Sequence, residues 1–151
     1  AYAGFTIDRG SDDGIALYDP VMTSNGLIGM VCEIAPNYSK VATVLSDEIN
    51  VGVMTFDSKV TGILDNDIKN ANDGNCLMSY ITKDSGIKEG EIVKSVAGVV
   101  FPGNLLIGVV TKVYDDENGL SVHAVIKPAV DVRTVTDCVV ITDFKGQGVV
   151  D

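Results

Sequence analysis

Tryptophan is absent, histidine occurs once, and only three cysteines and four prolines are spread over 151 residues. Cations are scarce too: 11 Lys and Arg stand against 21 Asp and Glu, a net charge of -10. Such a surface repels phosphate backbones and anionic headgroups, and no basic cluster offsets it, so nucleic acid is not an expected partner. Cys32, Cys76 and Cys138 are widely spaced with no Cys-x-x-Cys pair, which gives no support to a zinc or redox site. No stretch reaches the ~18–20 apolar residues that a bilayer-spanning helix needs. The chain opens at Ala1 without an initiator Met or a signal segment, and is expected to be a fragment of a longer protein.

What is present is apolar, branched and repetitive. Hydrophobic residues make up 46% of the chain and glycines number 16, a profile of short strands joined by tight turns. Leu27-Ile28-Gly29-Met30-Val31 returns as Leu106-Ile107-Gly108-Val109-Val110. Upstream, Gly14-Ile15 followed by Val21 is echoed by Gly86-Ile87 followed by Val93. That spacing is too long for a solenoid and indicates two small lobes of one kind. Strands are expected at Phe5 to Ile7, Val21 to Thr23, Leu27 to Ile34, Lys40 to Leu45 and Val51 to Phe56. The second set runs Val60 to Leu64, Cys76 to Ile81, Glu91 to Lys94, Leu105 to Tyr114, Leu120 to Ile126 and Val135 to Ile141. Asn25-Gly26 and Asn118-Gly119 read as hairpin turns, and residues 65–74 as a long polar hairpin loop. No window carries a helical apolar stripe with caps. The expected class is an all-β barrel or sandwich, and closure into a small barrel would remove exposed edges.

Tandem barrels carrying Asp84-Ser85-Gly86 invite comparison with chymotrypsin-like proteases. That chemistry needs a histidine in the first barrel and a nucleophile in the second. The one histidine, His123, lies downstream of Ser85; no serine follows it, and Cys138 follows after only fifteen residues. His123 itself sits in an alternating strand and reads as a structural residue. Residues 65–76 miss the calcium-loop ligands, since Lys69, Asn70 and Cys76 stand where an oxygen ligand, glycine and glutamate belong. No cofactor and no metal site is expected. Val99-Val100-Phe101-Pro102 remains, in a connection between strands, where Phe101 either anchors a partner or plugs one end of its own barrel.

In order and spacing the chain resembles the rod shape-determining MreC family. The match runs through Gly10-Ser11-Asp12-Asp13-Gly14-Ile15, Gly26-Leu27-Ile28-Gly29-Met30-Val31, Ser39-Lys40-Val41 to Asp47, Phe101-Pro102 ahead of Ile107-Gly108, and Pro128-Ala129-Val130-Asp131. The resemblance covers Phe5 to Thr142. Ser95-Val96-Ala97 departs from the family's Thr-Ser-Gly, and Asn104 stands where the family places a glycine; asparagine tolerates positive φ there. The resemblance implies two small tandem six-stranded β-barrels, chymotrypsin-like in arrangement but without a triad. The first spans residues 1–57 and is completed by a C-terminal strand from 129–144; the second spans 58–128, and 145–151 is a polar tail. It further implies a membrane-anchored, extracytoplasmic scaffold on the outer face of the bacterial cytoplasmic membrane, controlling cell shape by organising peptidoglycan synthesis. Its partners would be the elongation-class penicillin-binding protein, other shape-determining membrane proteins and a second copy of itself. Val99, Val100, Phe101 and Pro102 are the expected partner-binding residues. Gly26, Gly29, Asn104 and Gly108 are expected to serve turns and close packing. The alternatives are a degenerate two-barrel hydrolase acting through Ser85 or Cys138, and a module that pairs a peptide strand onto an open barrel edge.

Overall fold

The computed structural model describes residues 3–98 and 101–144. Eleven strands are found among them: β1 (Gly4–Ile7), β2 (Pro20–Thr23), β3 (Gly26–Ile34), β4 (Ser39–Thr43), β5 (Asn50–Thr55), β6 (Thr61–Asp65), β7 (Cys76–Thr82), β8 (Ile92–Ser95), β9 (Leu106–Asp115), β10 (Ser121–Pro128) and β11 (Val139–Val140). Each overlaps a strand expected from the sequence. Six of them close into a barrel, in the order β10-β7-β6-β5-β8-β9, through antiparallel pairs. The other five form a sheet ordered β1-β4-β3-β2-β11.

Four expectations change. The first unit is a five-stranded sheet among the described residues, not a closed six-stranded barrel, and β1 and β11 are its edges. The reason lies in the last strand: among the described residues its ladder is short, with Val139 and Val140 opposite Met22 and Val21 and one further bond from the Ile141 N–H to the Pro20 carbonyl. The residues before them turn on themselves, with the Thr134 N–H donating to the Asp131 carbonyl. Second, the strand at 50–55 belongs to the closed barrel, so the chain changes unit at residues 44–49 and not at 57–58. Alternation explains it, because Val51 and Val53 point into the barrel core. Third, the polar loop at 65–74 contains one helical turn, α1 (Ile68–Asn72). Asp67 caps it by accepting from the Asn70 N–H at 2.8 Å, the usual use of aspartate at a helix start. Fourth, the expected final strand of seven residues shrinks to two.

Two cores meet on β3. Leu27 and Met30 join the barrel core, whereas Ile28 and Val31 join Val21, Val41 and Val130 in the core of the sheet. A strand buried on both faces must be apolar at successive positions, and this is why Leu27 to Val31 is unbroken. Within the repeat, Gly29 and Gly108 occupy equivalent places. A Cβ on Gly29 would stand 2.1 Å from the Ala42 carbonyl oxygen, and one on Gly108 2.1 Å from that of Lys127. Each glycine therefore admits a neighbouring strand that no other residue would allow.

Candidate functional site

The connection after β8 carries the expected contact residues. Ser95 organises it: its hydroxyl donates to the Pro102 carbonyl at 2.7 Å and accepts from the Leu105 N–H at 3.0 Å. The Asn104 N–H donates to the Ser95 carbonyl at 3.0 Å, and Asn104 has a φ of 65°, so asparagine takes up the left-handed turn. Phe101 is only 8% exposed and packs into the barrel core. Of the two roles open to Phe101, its side chain therefore takes the plug. Pro102 is half-buried, and Val99 and Val100 lie outside the described residues. Beside this loop, where sheet meets barrel, is a mainly apolar groove of about 540 Å³ lined by Tyr18, Met30, Glu48, Val51, Val96 and Phe101. Gly26 stands at the same junction, its absent Cβ facing the Leu106 carbonyl at 3.0 Å and Ala129 at 3.2 Å.

His123 pairs with Asp116, just beyond the end of β9. Its Nδ1 lies 2.7 Å from Asp116 Oδ1, and the ring stacks on Tyr114 at 5.4 Å. Ser121 donates its hydroxyl to the other oxygen of Asp116. The hydrogen bond from Ser121, then that from His123, hold the Asp116 carboxyl below its ordinary range. Serine, aspartate and histidine thus meet with the carboxylate in the middle. A triad requires the imidazole there, with its Nε2 on the hydroxyl. This arrangement fixes the β9–β10 hairpin and leaves Ser121 without a base.

The other nucleophile candidates, Ser85 and Cys138, make no hydrogen bond with His123. Ser85 Oγ is buried without a hydrogen-bond partner. Cys138 packs against the core of the sheet, not the barrel. All three cysteines are free. Burial pushes the Cys76 thiol up to about 12 and raises those of Cys32 and Cys138, so none is held as the reactive thiolate at neutral pH. Among the described residues, no group of three His, Cys, Asp or Glu side chains is placed to hold a metal ion, and no helix is long and apolar enough to cross a membrane.

One surface escaped the sequence reading. Phe56, Ile92, Leu106 and Val109 are large, apolar and exposed on the outside of the barrel. Their positions were legible as strand, but alternation alone does not say which face of a barrel strand has a neighbour.

The whole arrangement has known counterparts. A family model described as rod shape-determining protein MreC, barrel core, matches residues 1–142. The cell shape-determining protein MreC of Listeria monocytogenes is 31% identical over 152 aligned positions, covering 96% of this chain and 50% of that protein. The chain thus spans about half the length of that curated relative. A solved MreC structure from Listeria monocytogenes superposes with a TM-score of 0.78 at 29% identity, over 87% of this chain and 63% of that one. A complex between penicillin-binding protein PBP2 and MreC from Helicobacter pylori matches with a TM-score of 0.64 at 15% identity, over 84% and 77% of the two chains, and shares the fold. The order of glycines and strands read from the sequence, the closed barrel and the match over residues 1–142 agree, and the chain belongs to the MreC family of rod shape-determining proteins.

Proposed function

We propose that this chain is a non-enzymatic scaffold of bacterial cell elongation, standing on the outer face of the cytoplasmic membrane and organising peptidoglycan synthesis through protein contacts. Family membership over residues 1–142 carries the reading. It is supported by the Helicobacter pylori relative, whose structure is that of a complex with PBP2. The carboxylate-centred cluster at His123 supports it from the side of chemistry, since it orients no nucleophile.

In this reading the five-stranded sheet is the open counterpart of the closed barrel, the pair set together in a chymotrypsin-like way, with a membrane helix and coiled coil elsewhere in the parent protein. The barrel offers a preformed surface, and a partner is biased only as far as that surface prefers one of its states. The elongation-class penicillin-binding protein is the first partner proposed, with other shape-determining membrane proteins and a second copy of the chain beside it. Val99, Val100, Phe101 and Pro102 are the proposed contact residues of the loop, with the buried Phe101 ring as its internal anchor. The test is a titration against the soluble ectodomain of the same organism's elongation-class penicillin-binding protein. Saturable binding is expected; no binding at high concentration would remove the direct contact from the proposal.

One observation favours a second reading, strand addition. The edges β1 and β11 both line a groove of about 630 Å³, including Thr6, Ile7, Cys138 and Val140. Edge strands are templates for pairing. Affinity for short extended peptides, lost when proline replaces Thr6, would support it, and indifference to such peptides would exclude it.

A further inference from the structure

The outside of the closed barrel bears three cross-strand rows. In the first, Gly52 of β5 has Ile63 of β6 on one side and Val96, just beyond β8, on the other. In the second, Met54 pairs with Lys94, and Lys94 with Leu106. In the third, the Phe56 N–H donates to the Ile92 carbonyl at 2.8 Å, Ile92 pairs with Val109, and Val109 with Lys127. Phe56, Ile92 and Val109 are 53%, 47% and 38% exposed. None of these positions is acidic, on a chain of net charge -10.

Lysines frame and cross this apolar face. Lys59 and Lys94 each hold their ammonium group 5.1 Å from the centroid of the Phe56 ring. Lys94 also donates to Asn104 Oδ1 at 2.8 Å. Neither makes a salt bridge among the described residues. Two cations against one exposed ring are attracted to its face but repel one another. A carboxylate brought between them would relieve that repulsion.

The internal duplication supplies an independent argument. Leu27 and Leu106 are equivalent, as are Met30 and Val109. In the first copy Leu27 and Met30 are 0% and 9% exposed, covered by the barrel core. In the second, Leu106 and Val109 are 36% and 38% exposed. Their inward companions do not differ, since Ile28 and Ile107 are both fully buried. The same motif is thus covered by packed protein once and left bare once.

We propose that this face, built on Phe56, Ile92, Leu106 and Val109 with Lys59, Lys94 and Lys127, docks a folded protein partner that presents apolar side chains ringed by carboxylates. Apolar contact supplies the centre and the lysines the register, because charge complementarity at a rim orients an encounter more than it tightens it. On a chain of net charge -10, these three lysines make this face favourable to an acidic-rimmed partner. The inference rests on the scaffold reading and names its surface.

The experiment titrates the full chain and its variants against the ectodomain of the same organism's elongation-class penicillin-binding protein, at low and high salt. The double variant Ile92→Asp/Val109→Asp keeps the inward residues and is checked for fold by circular dichroism and thermal unfolding. It should bind at least about tenfold more weakly. Lys94→Glu, which leaves the apolar centre in place, should weaken binding and reduce its salt dependence. Leu120→Asp, at an exposed hairpin end, should bind like the unsubstituted chain. If folded Ile92→Asp/Val109→Asp and Lys94→Glu bind unchanged, this surface is wrong while the scaffold reading stands. If the unsubstituted chain does not bind, this surface and the direct contact with that partner both fall, whereas family membership still carries the scaffold reading. If sedimentation shows the chain pairing with itself and the double variant dissolving that pair, the occupant is a second copy and the proposal is overturned.

Discussion

Asn66 holds three backbone groups from two units. Its amide nitrogen donates to the carbonyls of Val44 and Ser46, and its carbonyl accepts from the Leu77 N–H. Cys76 adds a thiol donor to the same Val44 oxygen at 3.0 Å. The segment leaving the sheet is thereby tied to the barrel. Asn66→Ala should strand these buried groups and cost about 2 kcal/mol, read by urea unfolding; a loss under half that would mean water replaces the amide. Glu91 is a second clasp, its carboxylate accepting from the Ser58 N–H at 3.0 Å and the Lys88 N–H at 2.8 Å. Burial pushes its carboxyl up, but the hydrogen bonds from Ser58 and Lys88 together outweigh it and leave it below the ordinary 4.5. A lowered carboxyl contributes its stability fully above the ordinary value and loses it as pH falls through the lower, folded one. Glu91→Gln should therefore cost on the order of 1 kcal/mol at neutral pH. It should also flatten the acid limb of the stability curve, and an unchanged limb would place the acid sensitivity elsewhere.

At the scale of elements, β3 and β9 are one motif in two settings. Both need their glycine, because a cross-strand carbonyl stands where a Cβ would be. Gly108→Ala should cost on the order of 3 kcal/mol, and Gly29→Ala a similar amount, measured by chemical denaturation; tolerance of either would show that the paired strand can withdraw. The loop after β8 depends on its ring in another way. Phe101→Ala should cost about 3 kcal/mol, since it empties a core position. Phe101→Asp, which would test the loop as a contact site, first places a charge in that core and should unfold the barrel before it reports on binding.

For the whole molecule, β3 of the sheet packs against the barrel, whose core takes in Leu27 and Met30. Cys76 is 0% exposed and shares that barrel core with Leu27 and Met30. Its thiol should react with an alkylating reagent only when the molecule unfolds globally, while Cys32 and Cys138 react earlier through local opening. Mass spectrometry of partly labelled protein would show this order, and early labelling of Cys76 would mean that the barrel opens by itself.

Much of this was legible in the chain. Alternation located the strands, the Asn-Gly pairs located two hairpins, and the repeated Leu-Ile-Gly motif with its neighbours named the family. These signals are local, and each rests on what a few adjacent residues can do. The triad was already improbable from one histidine with no serine after it. Pairing decided the rest. The sequence does not say that β5 closes the barrel, that the last strand has two paired residues, or that Asp116 stands between Ser121 and His123. Nor does it distinguish Leu27 from Leu106. Chain chemistry alone determined where strands form and which face of each is apolar. Tertiary structure decided which of those faces are covered, because burial depends on neighbours that lie far away along the chain.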